Sequence, residues 1–208
     1  MSLLFIINEV GCLNYLQPYL LLLESKGIEH LIVIKQKVLR YANVVGFTTK
    51  FMLPIDEKLK VFELINAGKF DACILSACAE DIEREAIKSC SVSGITSYSI
   101  IDAWVNYKWR FTFADEVLFP NFILVPDAFA FNEATMEGLP AHKLLIAGHP
   151  ALGEIMVSAG GPPTAIFLDQ PDPRDWSVDH SHSSQKAWNL LFSYHGEEDT
   201  IFSRLIFC

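Results

Sequence analysis

The sequence is short of the marks that usually announce a chemistry. It has no Gly-x-Gly-x-x-Gly turn, no P-loop, no Gly-x-Ser-x-Gly elbow and no Cys-x-x-Cys pair. The dinucleotide-binding, P-loop, serine-hydrolase and zinc-ribbon classes therefore lose their signatures. Positive charge is scarce: 16 Lys and Arg stand against 25 Asp and Glu, a net charge of −9. With no basic tail or Lys/Arg block to track a phosphate backbone, nucleic acid is not an expected partner. No apolar run reaches the roughly 18–20 residues of a membrane span. Met1 to Val10 is apolar but lacks a cationic flank and a small-residue cleavage site, so it reads as a first strand and not as a signal peptide. The five cysteines, Cys12, Cys73, Cys78, Cys90 and Cys208, are odd in number and follow no motif spacing. Free thiols in a reducing, cytoplasmic setting are the economical reading. His180 and His182 stand two apart without a third ligand at sensible spacing, so neither a metal nor another cofactor is expected.

What the chain does have is apolar material, 51% of its 208 residues, enough for a sizeable core. It comes as short runs that alternate with amphipathic or charged stretches: Leu3–Ile7, His30–Ile34, Ala72–Ala77, Ile95–Ile101, Asn121–Val125, Leu144–Ala147 and Thr164–Leu168. Between them the spacing predicts helices over Pro18–Lys26, Asp56–Ala67, Ala79–Ser89 and Ala128–Glu137, with glycine at or near each stop. Lys35–Lys50 reads as irregular and mildly basic. Strands apolar on both faces, alternating with helices, predict an α/β fold: a Rossmann-like, doubly wound parallel sheet. The Ala159-Gly160-Gly161-Pro162-Pro163 stretch reads as a linker, dividing a first lobe over 1–160 from a short piece over 161–208. Within that piece a helix is expected over Ser184–Leu191.

Parallel sheets of this kind take ligands beyond the carboxyl ends of their strands. The polar residues just after each run are therefore the candidates: Asn8, Glu9, Gly11 and Asn14; Ser76; Asp102, Trp104, Asn106, Tyr107 and Arg110; Asp127; Gly148 and His149. Asp102 suits a general base, or a cap on the turn that follows it. Trp104, Tyr107 and Trp109 suit a stacking platform, or packing between sheet and helix. Arg110 suits a phosphate clamp, or an ion pair with Asp115 or Glu116. Gly11 permits an anion to approach the head of the first helix, or simply makes the turn. His149, fixed in extended backbone by Pro150, suits a ligand contact or a spacer.

Three stretches carry a family resemblance. "NFILVPDAFAFNEATMEGLPAHKLLIAGHPALGE" runs strand, Val-Pro-Asp, helix, strand and Gly-His-Pro, and "NEVGCLNYLQPYLLLLESKG" runs strand end, glycine turn and helix. The third is Asp102-x-Trp104-x-Asn106-Tyr107-x-x-Arg110-Phe111. Together they resemble the N-terminal lobe of two-lobed GT-B glycosyltransferases, a group that includes lipid A disaccharide synthase, nucleotide-sugar 2-epimerases and polysaccharide-biosynthesis glycosyltransferase-like proteins. The resemblance covers about residues 3–170. It implies transfer of a sugar from a nucleotide donor to an acceptor hydroxyl in surface-polysaccharide synthesis. Asp102 or Glu9 would be the catalytic carboxylate, and Asn8, Gly11, Asn14, Ser76, Trp104, Asn106, Tyr107, Arg110, Asp127 and His149 would bind ligand. The implied partners are a nucleotide sugar and an acceptor saccharide, with a membrane surface and a second copy of the chain as open alternatives. It also implies that a nucleotide-binding lobe starts near Pro163 and is incomplete here, because no Glu-containing ribose motif follows "TAIFLDQP". The alternative expectation is a non-catalytic binding or assembly module made from one lobe.

Overall fold

The structure is a computed structural model. It describes residues 2–47, 52–54, 58–67, 69–114, 116–150, 164–167 and 204–207. The chain divides into two compact units, Met1–Ile155 and Met156–Cys208.

The first unit is built on seven parallel strands: β1 (Ser2–Ile7), β2 (Glu29–Ile34), β3 (Met52–Pro54), β4 (Ala72–Ser76), β5 (Thr96–Ile100), β8 (Phe122–Val125) and β9 (Leu144–Ile146). They lie in the order β3-β2-β1-β4-β5-β8-β9. This is the doubly wound, Rossmann-like arrangement of a GT-B-type lobe, and its chain order reverses between β1 and β4. Between β5 and β8, a two-stranded antiparallel hairpin, β6 (Thr112–Phe113) with β7 (Glu116–Val117), interrupts the crossover. The second unit contains one described ladder, β10 (Thr164–Phe167) parallel to β11 (Arg204–Phe207).

Five described α-helices accompany these strands. α1 (Val10–Ser25) and α2 (Gln36–Val44) pack on one face of the sheet with Leu3, Phe5, Ile7, Ile32 and Ile34. α3 (Lys58–Asn66) and α4 (Asp81–Ser93) pack on the other, against Leu4, Ile6, Val33, Cys73 and Leu75. α5 (Ala128–Met136) closes a third cluster with Ile101, Tyr107, Phe111 and Ile123. Gly94 ends α4 in the left-handed region, φ 69°, where a side chain is disfavoured. Cys12, Cys73, Cys78 and Cys90 are buried free thiols.

Two segments differ from the sequence-based expectation. The stretch after Lys35 is not irregular, because α2 buries Val38 and Ala42 four residues apart and packs Leu39 and Tyr41 beside them. The first helix starts at Val10, eight residues before Pro18, which lies inside it. An interior proline costs about 3 kcal/mol. Burial of Leu13, Leu16 and Leu20 offsets that cost, at roughly 1.5–3 kcal/mol for each side chain. The expected N-cap Asp56, the Ser184–Leu191 helix, and His180 and His182 lie outside the described residues.

Over β4, β5 and β8 the α1 side of the sheet is only partly covered: Ile100 is buried, and Ile74 and Leu124 pack against the α1 cluster. Ile74, Tyr98, Phe122 and Leu124 are left half-buried there, and Leu145 on β9 is 42% exposed. Tyr98 and Phe122 stack at 5.3 Å between centroids, and a cavity of about 270 Å³ runs from Ile74 and Leu124 to Tyr19 and Leu22 of α1. Among the described residues, no helix is long and apolar enough to cross a membrane.

Candidate functional site

The reversal of strand order opens a crevice between the carboxyl ends of β1 and β4. Asn8 and Glu9 leave β1 there, Ser76 and Ala77 leave β4, and Asp102 leaves the adjacent β5.

The floor of the crevice is a buried polar knot. Glu83, in the first turn of α4, is 1% exposed and collects five donors. Ser76 Oγ donates to it at 2.7 Å, Cys78 N at 2.9 Å, Cys78 Sγ at 2.8 Å, Glu80 N at 3.2 Å and Asn8 Nδ2 at 3.3 Å. The Asn8 backbone N–H donates to Ser76 Oγ at 3.0 Å, tying β1 to β4. Burial pushes the Glu83 carboxyl above its ordinary range, and these hydrogen bonds hold part of that rise back. Asn8 and Ser76 are thus consumed by the scaffold.

The second element is Arg110, only 8% exposed. Its Nη1 donates to Ala77 O at 2.8 Å and to Asp102 Oδ1 at 3.2 Å, and its Nε donates to Val105 O at 3.3 Å. Its own carbonyl accepts from Ala79 N, whose residue is held at φ 57°. One buried guanidinium therefore fixes the turn after β4, the loop after β5 and the Asp102 carboxylate together. The partner is Asp102, not the expected Glu116, which instead accepts from Lys88 Nζ at 2.7 Å; Asp115 lies outside the described residues.

The Asp102 carboxylate lies against the head of α1. A Cβ built on Gly11 would stand 2.0 Å from Asp102 Oδ2, so only glycine admits this approach. Glu9 is the N-cap of α1 but makes no side-chain cap hydrogen bond. It is half-buried, and burial followed by the neighbouring Asp102 charge raises its carboxyl above the usual range. Lys35 pairs with Glu80 nearby.

The third element is aromatic. Tyr15 of α1 donates its hydroxyl to Gly148 O at 2.6 Å and packs edge-on to His149, with centroids 4.8 Å apart. Trp104 stacks on His149, at 5.9 Å between centroids and 11°. Its Nε1 donates to Asp127 Oδ2 at 2.8 Å, while Asp127 Oδ1 caps α5 by accepting from Ala130 N at 2.8 Å. These two bonds, the Ala130 one first, hold the Asp127 carboxyl below its ordinary value. Loss of the cap in Asp127→Ala is expected to lower the unfolding midpoint at neutral pH. The deficit should vanish on acidification, since a depressed carboxyl contributes stability above its unfolded value of about 3.8 and loses it as pH falls through the folded value. Thermal melts of both proteins across this range check it.

The candidates thus separate. Glu9, Gly11, Asp102 and Arg110 meet at the crevice, and Trp104, Asp127 and His149 form a second group with Tyr15. Asn14 lies one turn into α1 and accepts from Tyr41 Oη at 3.3 Å. Tyr107 is buried in the α5 cluster, and Asn106 is an exposed turn residue at φ 60°, which asparagine tolerates. Trp109 is 59% exposed, while Trp104 stacks on His149. Sequence reasoning passed over Glu83 and Tyr15. Glu83 had a signal, an acidic third position in the first turn of a helix; Tyr15 had none. Among the described residues, no group of three His, Cys, Asp or Glu side chains could hold a metal ion.

The fold has solved counterparts. UDP-GlcNAc 2-epimerase from Methanocaldococcus jannaschii matches at 12% identity and TM-score 0.59, over 100% of this chain and 65% of that one. An S. aureus MnaA–UDP co-structure matches at 11% and 0.61, over 99% and 62%. UDP-N-acetylglucosamine 2-epimerase from Rickettsia bellii matches at 12% and 0.57, over 100% and 61%. At these identities the likeness is one of fold, and the chain spans 61–65% of the length of these proteins. No protein-family model matches the sequence, and no curated protein does.

Proposed function

We propose that this chain is a nucleotide-sugar-dependent, glycosyltransferase-like protein of surface-polysaccharide synthesis, with its first unit holding the acceptor and Glu9 as general base. The observation that carries the reading is the Glu9 carboxyl at the β1–β4 crevice, free of capping duty and raised by burial and by Asp102. Two proteins of similar fold support it by what they bind: the M. jannaschii enzyme is solved with UDP-GlcNAc and UDP, and MnaA with UDP.

In the proposed step, the Glu9 carboxylate takes the proton of the acceptor hydroxyl. The hydroxyl oxygen bonds to the anomeric carbon, and the bond from that carbon to the donor phosphate oxygen breaks. Its electron pair leaves with the nucleoside diphosphate. Asp102, held by Arg110, keeps negative charge beside Glu9 and so makes Glu9 a stronger base. General-base catalysis contributes about 10²–10⁴ in rate, so Glu9→Gln is expected to lose that much kcat with KM little changed. The base must be ionised, so activity falls as pH drops through the Glu9 value, which lies above the ordinary 4.5. Asp102→Asn removes one of the causes of the rise and moves this acid limb down. Calorimetric titration with UDP-, CDP- and GDP-sugars comes first, and absence of binding at millimolar concentration would sink the reading.

A second reading is a non-catalytic assembly module. It is favoured by the half-covered apolar face with Ile74, Tyr98, Phe122 and Leu124. Burial of such a face against a second copy predicts a dimer by light scattering, and a strict monomer at high concentration counts against it.

A further inference from the structure

We infer that Asp102, positioned by Gly11, determines the charge of what this crevice accepts: it fills the anion position at the head of α1, so the lobe takes an uncharged polyol there and excludes phosphate. That the polyol is a glycosyl acceptor rests on the function proposed above; the exclusion of phosphate does not.

A strand, a glycine turn and a helix N-terminus ordinarily make an anion site, because first-turn N–H groups and the helix dipole face the incoming charge. Every element of that device is present. β1 feeds α1 through a turn with glycine at its second helical position, and Gly11 is solvent-exposed. No side chain caps the helix. The place is nevertheless taken. Asp102 Oδ2 stands where a Gly11 Cβ would be, and Asp102 Oδ1 is held from behind by Arg110. Arg110 cannot readily turn away to serve a ligand, since it also donates to Ala77 O and Val105 O and is buried. The glycine therefore admits the chain's own carboxylate and not a ligand phosphate. An incoming phosphate would meet Asp102 and Glu9 together, and both repel it. A hydroxyl instead finds two carboxylates able to accept its hydrogen bond.

The test titrates the full chain with inorganic phosphate, followed by ³¹P NMR linewidth. The wild type is expected to show no saturable binding through the millimolar range. Asp102→Ala and Asp102→Ser are expected to gain it, by roughly tenfold or more, because the helix head and Arg110 then face an open position. Asp102→Ser is short enough to clear the position yet keeps a hydroxyl oxygen, so it covers the case in which the alanine variant does not fold. Adding Gly11→Ala to Asp102→Ala should abolish the gain, since the new Cβ occupies the same place. Phosphate binding by the wild type equal to that of Asp102→Ala overturns the inference. So does a folded Asp102→Ser with no gain, or a gain that survives Gly11→Ala. A wild type that binds no nucleotide sugar would remove the proposed function and leave this outcome standing.

Discussion

Arg110→Met is expected to cost about 3–5 kcal/mol of folding stability, the penalty for breaking a buried ion pair from one side. Methionine keeps most of the stem packing, so the loss reads out the guanidinium. Three acceptors lose a donor at once: Ala77 O, Val105 O and Asp102 Oδ1. Asp102 is then a poorly solvated carboxylate with only the head of α1 beside it, and the turn after β4 loses its side-chain brace at Ala77 O, keeping only the backbone bond from Ala79 N to the carbonyl of residue 110. Urea unfolding of the two proteins measures the difference. A cost below about 1 kcal/mol would mean the pair is worth no more than a surface ion pair, and the crevice would not be organised as described. Asp102→Asn should be milder, because its carbonyl oxygen still accepts from Arg110.

Glu83→Ala is expected to be of similar size, about 3–5 kcal/mol, for a different reason. Five donors point at the Glu83 carboxylate, and each one left buried without a partner costs about 1–3 kcal/mol, less whatever water recovers. Glu83→Gln should also destabilise, by less. One amide oxygen still accepts, but the new NH₂ faces backbone N–H groups of Cys78 and Glu80 if it replaces Oε2. The pH dependence carries a definite sign. Burial raises the folded carboxyl above the unfolded value near 4.5, so its protonated form is favoured in the native state. The stability so gained is present below 4.5 and is lost as pH rises through the folded value. The gap between wild type and Glu83→Gln is therefore expected to be widest in acid and to narrow on the way to neutrality. A gap that widens instead means the five donors outweigh desolvation.

These two residues also show where reading the sequence stopped. Glu83 sits in "AEDIERE", one of several carboxylates on a charged helix, and its third-position signal marks a helix cap, not a buried carboxylate. Its burial follows from the close approach of β4 and β1, 70 residues apart in the case of Ser76 and Ile6. Arg110 was legible as a cation at a strand end, but its partner was not. Nearby carboxylates at Asp115 and Glu116 competed with Asp102, and the crossover hairpin carries Glu116 off to Lys88.

The sequence by itself determined the alternation of strands and helices, the parallel doubly wound sheet and the strand ends where polar residues gather. Hydrophobic periodicity and turn chemistry are local, and they act within about ten residues. It also brought Glu9, Gly11, Asp102 and Arg110 into one list. Only the tertiary structure decided that Asp102 lies on the first turn of α1, that Gly11 exists to admit it, and that Asn8 and Ser76 belong to the scaffold. Those facts depend on strand order. β1 is flanked by β2 on one side and β4 on the other, and no local preference encodes which strand ends become neighbours.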